Sequence, residues 1–97
     1  MEWKYSRHDL ADGTATIASV PCLVKGVYVN EAMNANALEI KDSTSKAFTV
    51  PASASAGNSY DFSGDGVRYE TSLIVVPDAG GTGEVTIVYV KLEEAHA

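Results

Sequence analysis

The sequence predicts an all-β protein, one small sandwich or barrel of seven or eight short strands. Stretches of β-branched or alternating apolar residues recur about every ten residues, and clusters of Gly, Pro, Asp and Ser separate them. Helical periodicity is almost absent. The chain has 97 residues, of which 45% are apolar, and a domain of this size buries roughly 60–65% of its unfolded surface. One hydrophobic core is therefore expected.

Seven segments carry the strand pattern. Pro21 and Pro51 each end one segment, because proline cannot donate a hydrogen bond to a β-ladder. Gly64-Asp65-Gly66 is typical of a hairpin turn, the glycine-rich stretch 77–83 predicts a second turn, and the polar stretch 52–58 predicts a loop. In chain order the predicted strands are 14–20, 22–29, 37–41, 46–50, 59–63, 67–76 and 84–92.

The charge of the chain is unevenly distributed. It has 7 basic and 13 acidic residues, a net charge of −6. Residues 1–30 contain three of each and sum to zero, so the whole excess lies in residues 31–97. The acidic balance argues against a nucleic-acid partner, which requires a basic patch.

Two further features bear on where the protein is made and used. No segment approaches the roughly 20 apolar residues that span a bilayer, and the charged N-terminus does not resemble a signal peptide. We therefore expect a protein made in the cytoplasm, with no membrane partner. Its single cysteine excludes an intrachain disulfide.

Several predicted strands are apolar on both faces. In strand 22–29, simple alternation places Leu23, Val27 and Val29 on one face and Val24 and Tyr28 on the other. A solitary sandwich needs only one apolar face per strand, so this pattern favours burial against another subunit. The alternative is that central strands tolerate a few exposed valines.

Candidate catalytic groups are few. His8, Asp9 and Asp12 could form an acid/base pair or a metal corner, but no Gly-x-Ser-x-Gly nucleophile motif accompanies them. His96 is the penultimate residue, and Cys22 lies in an apolar strand, where a buried and inert thiol is expected. We expect no enzyme and no cofactor.

A calcium site is the one metal-binding hypothesis. The stretch from Asp61 through Asp65 to Gly66 matches the first half of a calcium loop. The twelfth position is Ser72, however, and the nearest acid, Glu70, comes two residues early. A tight acidic hairpin explains the same residues, so we expect no metal and keep Asp61 and Asp65 as weak candidates.

Aromatic residues predict a contact surface. The N-terminal stretch 1–13 places Trp3, Tyr5 and Leu10 among charged residues, which suits an arm docking on a neighbour. An edge strand of the same sheet is the alternative. Of the five tyrosines, Tyr28 and Tyr89 lie in the apolar strands; tyrosine-rich strands serve either as core and interface anchors or as a carbohydrate platform.

A family resemblance rests on the strand-and-turn pattern of residues 20–92. The runs 27–30, 37–42, 48–52, 66–73 and 83–89 resemble small decoration (cement) proteins of tailed bacteriophages. Such proteins are compact sandwich or jelly-roll modules, often trimeric, that bind the outside of the capsid. Similar modules occur as heads of phage spikes and fibres. The family has no catalytic residues.

The resemblance implies a single jelly-roll-like β-sandwich, which we place at residues 14–97. The extended N-terminal arm over residues 1–13 is predicted from its own residues, because this segment does not match the family strongly. The resemblance also implies a homotrimer on the outer surface of a phage head, with the major capsid protein as partner. We expect the contacts to involve seven residues: Trp3, Tyr5, Leu10, Val27, Tyr28, Val29 and Tyr89. The alternative is a spike, receptor-binding or carbohydrate-binding module that uses Tyr60, Tyr69 and the loop 52–58.

Overall fold

The computed structural model describes residues 3–43, 47–62 and 66–92 and confirms the all-β prediction. The described residues form nine strands instead of the seven or eight predicted. The chain also has a 3-10 turn at Leu10–Asp12. The strands are β1 Lys4–Asp9, β2 Ala15–Ala18, β3 Cys22–Glu31, β4 Leu38–Lys41, β5 Ala47–Val50, β6 Ser59–Asp61, β7 Val67–Tyr69, β8 Leu73–Pro77 and β9 Glu84–Lys91.

The strands form two antiparallel sheets. The larger sheet has the order β1-β9-β3, with both β6 and β7 on the far side of β3, and the smaller has the order β2-β8-β4-β5. The pairing is nested along the chain: β1 with β9, β2 with β8, β3 with β6 and β7, and β4 with β5. This is the pairing of a long antiparallel ribbon rolled into two sheets, the jelly-roll arrangement.

The core lies between the two sheets. Val24, Val27 and Ile87 of the larger sheet and Ile40 and Val75 of the smaller one are fully buried in one cluster. Alternate residues of each strand point into this layer, which is how a sandwich uses the two-residue period. Inward apolar positions from both sheets therefore form a single core, as expected.

A β-bulge in β3 makes the predicted assignment of its side chains to two faces wrong. Val24 pairs with Tyr89 and Gly26 pairs with Val88, so Lys25 is an extra residue without a counterpart on β9. The extra residue reverses the alternation, and Val24 joins Val27 on the inner face, both with no exposed surface. Val24 therefore does not share a face with Tyr28, and much of the apparent two-sided apolarity of this strand is burial in its own core.

The predicted strand 67–76 is two strands in two different sheets. β7 belongs to the larger sheet and β8 to the smaller one. Between them, the backbone N–H of Glu70 donates to the Asp42 carboxylate at 3.1 Å, and Ser43 donates its N–H to the Thr71 hydroxyl at 3.1 Å. These side-chain acceptors replace a strand partner, so the chain can cross the sandwich here.

The N-terminal segment forms an edge strand. Residues 4–9 pair with β9 over six positions, from Lys4 opposite Tyr89 to Asp9 opposite Glu84. The Asp9 carboxylate then accepts a hydrogen bond from the Ala11 N–H at 2.9 Å and caps the 3-10 turn. Of the two alternatives for this segment, the structure has the edge strand, and β1 belongs to the larger sheet.

Candidate interaction surface

The seven predicted contact residues divide into two groups. Leu10, Val27, Val29 and Tyr89 are at most 7% exposed and belong to the core cluster. Their side chains are engaged inside the protein's own sandwich, so they are not available as contacts in the folded chain. Trp3, Tyr5 and Tyr28 lie instead on one surface, the outer face of the larger sheet.

The outer face of the larger sheet carries a continuous apolar area, which we call the aromatic face: Trp3, Tyr5, Leu23, Tyr28, Val88 and Val90. Tyr5 lies opposite Val88, and Leu23 opposite Val90, so these pairs share a side of the sheet. Val88 and Val90 are only 5% exposed, yet neither belongs to the core cluster. Tyr5 is 71% exposed, which makes it the most accessible part of the face.

Trp3 lies across the sheet and contacts the bulge of β3. The ammonium nitrogen of Lys25 is 5.5 Å from the centre of the Trp3 ring, a cation–π distance. Because β9 separates β1 from β3, this contact places the indole over β9. Lys25, the extra residue of the β3 bulge, therefore also holds Trp3 on this face.

Tyr28 is fixed by a neighbouring strand. Its hydroxyl donates to the Asp61 carboxylate of β6 at 3.1 Å, and this hydrogen bond raises the pKa of Tyr28 above 10.0, since the ionised phenolate would face a carboxylate. Gly26 makes room for the contact. A Cβ there would lie 3.3 Å from the Tyr28 hydroxyl and 3.2 Å from Asp61 Oδ1.

Beside the aromatic face lies a row of polar contacts. Arg7 Nη2 of β1 donates to both carboxylate oxygens of Glu84 on β9, at 3.0 and 3.1 Å. Asn30 of β3 donates to Glu84 at 3.1 Å and to the Thr86 hydroxyl at 2.7 Å. These bonds join β1, β9 and β3, so the outer face is one surface with an aromatic half and a polar half.

The candidate catalytic residues do not assemble. His8 Nε2 donates to the carbonyl of Gly13 at 2.8 Å, while the Asp9 carboxylate accepts from Ala11. Successive residues of a strand point to opposite sides, so the two side chains face apart. Cys22 is buried, and its thiol donates to the Val20 carbonyl at 3.3 Å.

The calcium hypothesis is only partly covered by the structure. Asp61 is exposed and accepts the Tyr28 hydrogen bond, whereas Asp65, like His96, lies outside the described residues. Within residues 3–43, 47–62 and 66–92, no three His, Cys, Asp or Glu side chains are grouped so that they could hold a metal ion. The same part of the chain contains no helix long and apolar enough to cross a membrane.

The alternative tyrosine surface is divided by the fold. Tyr69 is fully buried, and its hydroxyl donates to the Ile40 carbonyl at 3.2 Å. Tyr60 packs on Phe48, with ring centres 5.7 Å apart, and Phe48 meets Phe62 edge-on at 5.1 Å. These three half-buried rings join the edge strands of the two sheets. Sequence reasoning missed this cluster, because nothing in the local pattern shows that β5 and β6 are adjacent.

Comparison with known proteins finds no relative: no family model, no curated protein and no solved structure matches the chain.

Proposed function

We propose that this chain is a virion structural protein, a decoration (cement) protein that binds the outer surface of a phage head and stabilises it without catalysis. In this proposal it is made in the host cytoplasm, assembles as a homotrimer and contacts the major capsid protein. The observation that carries the proposal is the aromatic face, where the 71% exposed Tyr5 lies beside Trp3 and Tyr28 on a rigid sheet.

The composition of this face supports docking on another protein. Tyr and Trp are enriched at protein interfaces, because each combines a large apolar area with a polar group. Tyr28 and Trp3 are already held by Asp61 and Lys25, so they lose little conformational freedom on binding. The net charge of −6 keeps the remaining surface hydrated on a crowded particle.

The face is small for a stable one-to-one complex. The molecule measures 41 × 23 × 19 Å, so its broadest side offers a footprint of roughly 900 Å², against about 800 Å² per partner in a standard interface. The aromatic half covers only part of that area. Several linked copies on a repeating lattice would gain avidity from effective concentration, and this suits a repetitive shell better than a single receptor.

The test is co-sedimentation with phage heads that lack this protein. Tyr5→Ser should weaken binding about tenfold or more by removing the exposed ring, while Tyr5→Phe should retain most of it. Thr49→Ala, at an exposed position on the smaller sheet, is the control and should bind like the wild type. Equal binding by Tyr5→Ser would contradict the proposed surface.

Copy number and particle stability test the role itself. A decoration protein is present in hundreds of copies per head, whereas a spike, fibre or receptor-binding module is present in a handful. Heads that carry the protein should also withstand higher temperature than heads without it. Heads of equal heat resistance, together with a protein that never sediments with them, would exclude the decoration role.

A further inference from the structure

A groove lies at one end of the sandwich, between the turn after β1 and the loop that joins β8 to β9. It has a volume of about 500 Å³, within the range of roughly 300–1,000 Å³ that is usual for ligand sites. Leu10, which is 2% exposed, and the buried Pro77 give it an apolar floor. We call it the end groove. Its lining residues lie within 10–14 and 77–82, so it is separate from the aromatic face.

Hydrogen bonds within the chain hold both walls of the end groove. On one side, Leu10 donates its N–H to the Gly83 carbonyl at 2.9 Å. On the other side, Asn34 donates its side-chain amide to the Gly80 carbonyl at 2.9 Å and so fixes the loop. The groove is therefore formed before a ligand binds, and little conformational freedom is lost on binding.

The polar side chains of the end groove belong to three exposed residues, Thr14, Asp78 and Thr82. Asp78 Oδ2 accepts a hydrogen bond from the Ala37 N–H at 3.3 Å, and Asp78 Oδ1 makes no bond to another described residue. Among the same residues, the two threonine hydroxyls also have no partner. These oxygens beside an apolar floor suit an ammonium group on an aliphatic chain, because such a group combines three donors with an apolar stem.

The surroundings of the end groove are acidic. The three segments that form this end of the molecule, 8–14, 30–37 and 77–84, contain no Lys or Arg. Arg7, which directly precedes the first segment, is bound to Glu84. The same segments carry five carboxylates: Asp9, Asp12, Glu31, Asp78 and Glu84. A cation is therefore attracted to this end, and an anionic ligand is repelled.

The bonding of Asp78 distinguishes between three kinds of cation. A calcium ion takes about six to eight oxygen ligands, but no three acidic, His or Cys side chains of the described residues are grouped to hold a metal. Arginine binds a carboxylate best through both oxygens, and Ala37 occupies one of them. Lysine needs only one oxygen, because its ammonium is a compact point charge.

We propose that the end groove binds the side chain of a lysine on a partner protein. Its ammonium group bonds to Asp78 and its methylene chain lies over Leu10 and Pro77. This contact is additional to the aromatic face and specifies one feature of the partner, an exposed lysine. That the partner is the major capsid protein rests on the proposed function, whereas the preference of the groove for lysine does not. The purified chain tests the groove and phage heads test the function, so either can fail while the other succeeds.

An NMR titration of the isotope-labelled chain with blocked tripeptides tests the proposal. The peptide Ac-Ala-Lys-Ala-NH2 should shift the N–H signals of Leu10, Ala11, Gly81 and Thr82 saturably, with a Kd of roughly 1 mM. The peptide with norleucine in place of lysine retains the aliphatic chain without the charge. It should bind about fivefold more weakly, and the arginine peptide should also bind more weakly than the lysine peptide.

Two variants remove the same charge from the same end of the molecule. Asp78→Asn keeps a side-chain oxygen for the Ala37 N–H, so the loop should fold, and the affinity for the lysine peptide should fall about fivefold. Asp12→Asn is the matched control, because Asp12 is exposed but does not line the groove; its affinity should stay within about twofold of the wild type. Ala11→Leu keeps every charge and fills the groove, so it should also weaken binding about fivefold or more.

Equal losses for Asp78→Asn and Asp12→Asn would show a diffuse effect of charge in place of a site. Equal binding of the lysine and norleucine peptides would show that the ammonium group is not recognised. Either result would overturn the proposal, as would shifts that do not saturate or that fall on the aromatic face in place of the end groove.

Discussion

The wild type should be more stable than the Tyr69→Phe variant at neutral pH, and the variant should be the more stable of the two at strongly alkaline pH. Tyr69 is fully buried, and its hydroxyl reaches across the core from the larger sheet to the Ile40 carbonyl of the smaller one at 3.2 Å. Burial, followed by the negative charge of nearby Asp42, raises the pKa of Tyr69 from 10.0 to about 12. The folded protein therefore keeps this proton after the unfolded chain has lost it.

The magnitude follows from linkage. A folded pKa above the unfolded value contributes stability that is fully present below pH 10 and is lost as the pH rises towards 12. A shift of two pKa units at about 1.36 kcal/mol each gives about 3 kcal/mol, a loss that is complete only above pH 12. The lost hydrogen bond makes Tyr69→Phe about 1 kcal/mol less stable at pH 8. The two stability curves should therefore cross at about pH 10.7, and at pH 12, where the folded Tyr69 is itself half ionised, the variant should be more stable by roughly 1 kcal/mol.

Urea denaturation of both proteins at several pH values between 8 and 12, followed by circular dichroism, measures the difference. Tyr5→Phe is the matched control, because the hydroxyl of a ring that is 71% exposed is in water in the folded and the unfolded chain. Its stability should differ little from that of the wild type at every pH. A constant difference between the wild type and Tyr69→Phe across the range would refute the reasoning.

Further predictions concern packing, backbone and charge, and urea denaturation checks each of them. Ile40→Ala, at a fully buried position, should cost about 2–5 kcal/mol, whereas Leu23→Ala on the outer face should cost less than about 1.5 kcal/mol; equal costs would contradict the assignment of faces. Gly83→Ala should cost about 3 kcal/mol or more, because its φ is +114° and a Cβ would lie 2.8 Å from the Ala32 carbonyl. Gly57→Ala, with φ +92° and no atom within 4 Å, should cost only about 1–2 kcal/mol, and a similar loss at both glycines would show that steric contact is not the cause. Glu84→Gln should change stability by less than about 1 kcal/mol, since Arg7 is 71% exposed, but it should speed hydrogen exchange in β1, and unchanged exchange would mean that the ion pair does not hold this strand.

The strands were predictable wherever local pattern and pairing agree. In β9, β-branched and alternating residues predict a strand over 84–92, and the structure has it at Glu84–Lys91. In β3 the same reasoning was wrong for Val24, because a bulge is a property of two paired strands, and the extra residue Lys25 is visible only against β9. The division of 67–76 between two sheets depends on Asp42, which is 28 residues from Glu70 in sequence.

The contact surface was predictable only in part, for a similar reason. Trp3 and Tyr5 stand out in a charged segment, and both lie on the outer face of the larger sheet. Val29 and Tyr89 were assigned to the same surface because residue type does not distinguish an inward from an outward position. Val88 and Val90 were missed there, since only the register with β1 and β3 places them beneath the aromatic rings.

The nested pairing has a consequence for synthesis of the chain on the ribosome. The innermost pair, β4 with β5, is complete when residue 50 has been made, but β3 then awaits β6 and β7, and β2 awaits β8. The outermost pair, β1 with β9, closes only near residue 89. The earliest strands to emerge are thus the last to find partners, and they remain open to solvent and to neighbouring chains until β9 has emerged.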